Sequence, residues 1–105
     1  MIKVTVLYPN RPGSHFDADY YINVHMPMAI ELMGAALKGV SAEIGIGGGA
    51  PGQPAPYAAI AAFVCESAQV FEEAFVPHSA QLMSDIPNYT NIAPVLQMSD
   101  LRISR

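Results

Sequence analysis

Hydrophobic positions along the chain change period four times, and each change marks an element. In "IKVTVLY" a β-branched run alternates, with Ile2, Val4 and Val6 on one face, until "PNRPG" breaks it; this is a strand. Behind Asp17, a helix-capping residue, Tyr20, Tyr21, Val24 and Met28 step by three and four, which predicts a helix. Pro27 lacks a backbone donor and pushes Met26 away from helical torsions. A kink or restart is therefore expected there before "MAIELMGAAL" continues. Val40, Ala42, Ile44 and Ile46, spaced by two, predict a second strand, and the glycines and prolines of "GGGAPGQPAP" make the next segment a loop. "YAAIAAFVCE" reads as a strand buried on both faces of its middle. Ser67 starts a second helix through "AQVFEEAF", Pro77 interrupts it, and "HSAQLMSDI" resumes. The last strand lies in "APVLQMSDLRIS".

The order β-α-β-β-α-β is the split βαβ pattern. It predicts an α+β, ferredoxin-like fold, a four-stranded antiparallel sheet with both helices on one face. The other face is left for a partner or ligand. At 105 residues the chain is expected to form one domain. Half of it is hydrophobic and only 13% charged, little charge for the surface of a small monomer, so a homodimer burying sheet faces is expected.

Charge narrows the partners. The net charge of -4, with Lys3, Arg11, Lys38, Arg102 and Arg105 scattered, argues against nucleic acid. No run approaches a membrane span, and the amino-terminal run is too short for a signal peptide; the expected location is cytoplasmic. The lone Cys65 fits a reducing compartment and, inside an apolar run, reads as a small buried hydrophobe.

Two chemical motifs fail on context. "GIGGGA", Gly45 to Ala50, matches a dinucleotide-binding fingerprint, but Pro51, Pro54 and Pro56 stand where the required helix would begin. His15, His25 and His78 lie far apart and lack metal-ligand spacing, so no metal and no cofactor are expected.

His25 carries the strongest signal. Tyr21, four residues earlier, shares its helical face, with Asp17 a turn further back; a phenol and a carboxylate beside an imidazole make an acid–base set. The alternative is a histidine that closes the helix by bonding a carbonyl left vacant by Pro27. Phe71, Phe75, His78 and Leu82 form one stripe, which points His78 either at a backbone carbonyl or into a pocket. His15 reads as solvated. Asp85 and Tyr89 end the second helix, and Tyr8, Asn10 and Arg11 stand at the mouth of the first strand, each either a turn residue or a ligand contact.

The opening, with "YPN", "FD", "YY" and "HMP" in this order, together with the later "F…PH…L" and "LQMSD", resembles EthD-type proteins, named for ethyl tert-butyl ether degradation. The resemblance implies a dimeric α+β barrel, two ferredoxin-like protomers packed sheet to sheet with a cleft between each sheet and its helices. It also implies kinship with cofactor-independent monooxygenases, polyketide cyclases, isomerases and dehydratases, and with relatives that bind haem. Carried over residue by residue, it makes His25 the catalytic candidate and Tyr21 its companion. His78, Phe75, Tyr20 and Tyr8 are the expected substrate-binding set. The function this implies is binding of a hydrophobic or aromatic small molecule by an acid–base enzyme. The alternatives are a non-catalytic carrier or accessory protein of a degradation system, or a haem binder.

Overall fold

The structure, a computed structural model, describes residues 1–105. Four strands, β1 (Ile2–Pro9), β2 (Gly39–Ile44), β3 (Tyr57–Cys65) and β4 (Val95–Asp100), form one sheet in the order β2-β3-β1-β4. Every neighbouring pair is antiparallel. The α+β, ferredoxin-like architecture is the one its element order predicts.

Register decides which side chains meet the helices. Val4 lies opposite Phe63 and Met98, and Val6 opposite Ala61 and Leu96, so these residues share one face. Tyr8 lies opposite Ala59, and the small residue leaves room for the phenol ring. The opposite face carries Thr5 and Leu7 of β1, Ile60, Ala62 and Val64 of β3, Ser41 of β2 and Gln97 of β4.

Two helical arms cover the first face. The first runs through α1 (Ala18–Tyr20), a π-helical turn (Tyr21–His25) and α2 (Met26–Met33) without interruption. Asp17 caps it, its carboxylate accepting from the Tyr20 amide at 3.1 Å. The expected break at Pro27 does not occur: Met26 keeps helical torsions, φ −64° and ψ −43°, and Pro27 sits in the first turn of α2. The irregularity lies upstream instead, where the Met26 amide donates to the Tyr21 carbonyl, five residues back. A proline inside a regular helix would collide with the carbonyl four residues before it, and widening the preceding turn relieves that clash. The wider turn also changes the phase. Val24, expected to face inward, is 44% exposed, whereas Tyr21 and His25 are buried at 1% and 8%.

The second arm is α3 (Ala68–Phe75), a 3₁₀ turn (Val76–His78) and α4 (Ser79–Asp85), with Pro77 in the 3₁₀ turn as anticipated. Ser67 caps α3, its hydroxyl accepting from the Val70 amide at 3.1 Å. The second strand is shorter than its alternation suggests. It ends at Ile44, and Ile46 stands fully exposed in the loop, because the facing chain turns to Pro56 and Pro54, which have no amide to donate. Gly45 passes so close to the Tyr57 carbonyl and the Ala55 side chain that a Cβ there would collide with both. The glycine-rich motif thus serves a tight hairpin.

Candidate functional site

Between the sheet and the two arms lies a cavity of about 60 Å³. Of its 15 lining residues 13 are hydrophobic, among them Val4 and Val6 on β1, Phe63 on β3 and Phe71 and Phe75 on α3. His25 is the wall's one imidazole, and no Asp, Glu, Lys or Arg lines it. The cavity opens beside the edge strand β4. There Leu96 and Met83 line it and are 46% and 54% exposed.

His25 is held from behind. Its Nδ1 lies 2.9 Å from Oδ2 of Asp85, the last residue of α4, with both side chains almost buried. The other oxygen of Asp85 accepts from the Tyr20 hydroxyl at 2.6 Å and from the Asn88 amide at 3.0 Å. Burial works to raise the Asp85 carboxyl. The hydrogen bonds from Tyr20, Asn88 and His25, with the His25 charge, outweigh it and hold the group below its ordinary value. Asp85 is therefore a carboxylate at neutral pH and accepts a hydrogen bond from Nδ1–H, which in the neutral ring leaves the lone pair on Nε2. Nε2 has no partner within the protein, and no buried side-chain nitrogen or oxygen lacks one, so this atom keeps accessible surface. Asp85 is outside the cavity wall, which the His25 ring itself lines.

An aromatic cluster fixes the ring's plane. Tyr21 stacks on the imidazole, centroids 5.6 Å apart and 14° from parallel, and Tyr89 packs on it at 4.7 Å. The Tyr8 and Tyr89 hydroxyls share a hydrogen bond of 2.7 Å inside the core. Burial, then the bond to Tyr89, pushes the Tyr8 phenol up, and burial with the neighbouring Tyr8 does the same to Tyr21. The Tyr20 phenol is pushed up by its bond to the Asp85 carboxylate. These phenols stay protonated across the neutral range and act as neutral groups.

Residues 15–93 match the model of the EthD domain. That span is most of the chain. The protein belongs to the EthD family. An EthD-like protein of Ralstonia eutropha JMP134 shares 44% identity over 99% of this chain and 94% of its own, with a TM-score of 0.93. An EthD-family protein of Bacillus halodurans C-125, 15% identical over 95% of this chain and 97% of its own, superposes with a TM-score of 0.66. A protein of Arabidopsis thaliana, 11% identical over 100% and 99% of the two chains, gives 0.68; these two share the fold. No curated protein matches the chain significantly.

In this EthD domain the cavity brings together His25, Tyr21, Tyr8 and Phe75 of the residues singled out in the sequence. It does not include Tyr20, which turns its hydroxyl to Asp85 and belongs behind the site. His78 is also outside the wall. The 3₁₀ turn at Pro77 advances by three residues per turn, which rotates His78 off the stripe that Phe71, Phe75 and Leu82 keep. Asn10 donates to the Ala55 carbonyl and Arg11 closes a turn with Ser14; both are exposed and distant from the cavity wall. The carboxylate beside His25 is Asp85, with Asp17 occupied as a cap. Sequence separation concealed this pairing, since 60 residues divide the partners. The signal available was an acidic residue ending one helix and a histidine buried in the other.

Proposed function

We propose that this EthD protein is a small acid–base catalyst, working without a bound cofactor on a hydrophobic or aromatic molecule held between sheet and helices. The observation that carries this reading is a histidine whose Nδ1 is committed to a buried carboxylate while its Nε2 is left unpartnered beside an apolar cavity. Nε2 takes a proton from the substrate. The imidazolium that forms is stabilised by Asp85 through the Nδ1–H bond and by the face of Tyr21 stacked on it. The same nitrogen then returns the proton at a second position, which is the step shared by isomerisation, dehydration and cyclisation. Dry walls strengthen the charge interaction and keep bulk water from competing for the proton. The methionines among the lining residues, Met26, Met33 and Met83, are flexible enough to widen the narrow space for a ring.

A homodimer joined through the open sheet faces, in a cytoplasmic setting, completes the reading. It is supported by the mix of Leu7, Ile60, Ala62 and Val64 with uncharged Thr5, Ser41 and Gln97 at the middle of that face, where Lys3 and Glu43 are the charged residues. No helix of the structure is long and apolar enough to cross a membrane.

The test is exchange of the C1 proton of 2-naphthol in deuterated buffer, followed by NMR. Exchange above the buffer rate is expected, reduced by about 100-fold or more in folded His25→Ala, the usual worth of a positioned acid–base group. Binding of 2-naphthol with exchange at the buffer rate would instead identify a carrier.

A further inference from the structure

The cavity's walls and the one ring nitrogen of His25 without a protein partner specify a ligand more narrowly than apolarity does. We propose that the site selects an uncharged molecule whose buried end carries a hydroxyl that donates to His25 Nε2, and that it rejects carboxylates and ethers of the same shape. This rests on the cavity being the ligand site, as proposed above.

Three observations converge. First, none of the chain's cations reaches the wall: Lys3 points to the open face of the sheet, opposite Val64 and Ser99, and Arg11, Lys38, Arg102 and Arg105 are exposed. A carboxylate carried inside would lose its water and gain no counter-ion, and the nearest charge, Asp85, has its own sign. An ammonium would likewise find no carboxylate on the wall. Second, the Asp85 carboxylate accepts a hydrogen bond from Nδ1–H, so in the neutral ring Nε2 is a hydrogen-bond acceptor on a side chain that lines the cavity. A ligand whose head group only accepts leaves that nitrogen dry and unpaired, and a hydroxyl satisfies it. Third, the polar groups of the wall gather at one end. Tyr21 stacks on His25 and lies edge-on to Tyr8, whose hydroxyl is taken up by Tyr89, while Met33, Phe71, Phe75 and Leu82 supply only carbon and sulfur. The ligand therefore has one polar end and an apolar body. The enclosed 60 Å³ is less than half of the roughly 150 Å³ that accepts benzene in an engineered cavity, so a single ring enters as the methionines rotate and any longer tail leaves past Leu96 and Met83.

The experiment compares 4-ethylphenol, 4-ethylanisole and 4-ethylbenzoate on isotope-labelled protein. It reads the His25 ring nitrogens and the Met26, Met33 and Leu82 methyl resonances. The phenol is expected to bind about tenfold more tightly than the anisole and to move the Nε2 resonance, whereas the benzoate leaves the cavity methyls unmoved. Asp85→Asn provides a second, independent reading. An amide can donate to Nδ1, which shifts the proton to Nε2, and the preference for the phenol over the anisole is then expected to fall to about unity or reverse. Nitrogen shifts report the tautomer directly, a readout that loss of packing alone would not produce. Equal affinity for phenol and anisole in the wild type, or benzoate bound in the cavity, overturns this inference while leaving the cavity as the ligand site. Failure of all three probes to move any cavity resonance overturns both.

Discussion

Single residues in this protein are tied across long stretches of chain. The Tyr8–Tyr89 hydrogen bond is an example: both rings are almost wholly buried, and each hydroxyl has the other as its partner. Tyr8→Phe or Tyr89→Phe alone strands a buried hydroxyl and is expected to cost about 1–3 kcal/mol in urea unfolding, whereas the double variant costs less than the sum of the two. Strict additivity would show that the bond is energetically idle. Asp85 makes stability depend on pH in a defined direction. Its folded value lies below its ordinary value of 3.8, so the unfolded chain takes up the proton first as pH falls. The stabilisation is complete above about pH 4 to 5 and fades as pH drops through 3.8 toward the lower folded value. Urea midpoints of wild type and Asp85→Asn should converge below that range, and a gap that stays constant down to pH 2 would contradict the assignment. His25 and Tyr21 were legible in the sequence because a helix places residues four apart on one face. Asp85 was visible as a helix-ending acid, but nothing in the chain's local pattern joins it to a histidine 60 residues away.

At the scale of elements, periodicity and capping located every strand and both helical arms, and it failed wherever a turn was not α-helical. A turn closed by bonds five residues apart is invisible to a pattern of 3.6 residues per turn, so spacing alone turns Val24 inward and the proline alone sets a break at Pro27. The π turn carries both Tyr21 and His25, whose rings stack, and the Nδ1 of His25 meets Asp85 at the end of α4. Deleting the exposed Asn23 would restore an ordinary helix and rotate His25 relative to Tyr21. The variant is expected to melt within a few degrees of wild type while losing the Asp85 contact, seen as a change in the His25 nitrogen shifts and loss of exchange activity. An unchanged histidine spectrum would mean the widened turn has no part in the site. The 3₁₀ turn at Pro77 acts in the opposite sense, turning His78 away from the wall that the residues around it line.

The whole molecule is a sheet covered on one side. The helices bury Val4, Tyr8, Ala59 and Ala61 and leave β4 partly bare, with Leu96 and Met98 about half exposed on the helix-facing side. The open face holds Ala62 near its centre, opposite Thr5 and Ser41. If two copies pair through that face, light scattering gives twice the chain mass of 11.2 kDa, and Ala62→Arg lowers it to one copy without changing the far-ultraviolet dichroism. A monomeric wild type would remove the pairing.

What the sequence determined by itself is the architecture and the family. Alternation, helical spacing and capping residues are local, and four strands with two amphipathic arms in this order have only a few ways to bury their apolar faces. It also singled out His25 and Tyr21. What only the tertiary structure decided is the site's chemistry: which carboxylate holds the histidine, which nitrogen stays free, and which aromatic residues face the cavity. These depend on contacts between residues distant in the chain and on departures from ideal helical pitch of a fraction of a turn. Such contacts and departures are settled by packing, not by any pattern that neighbouring residues display.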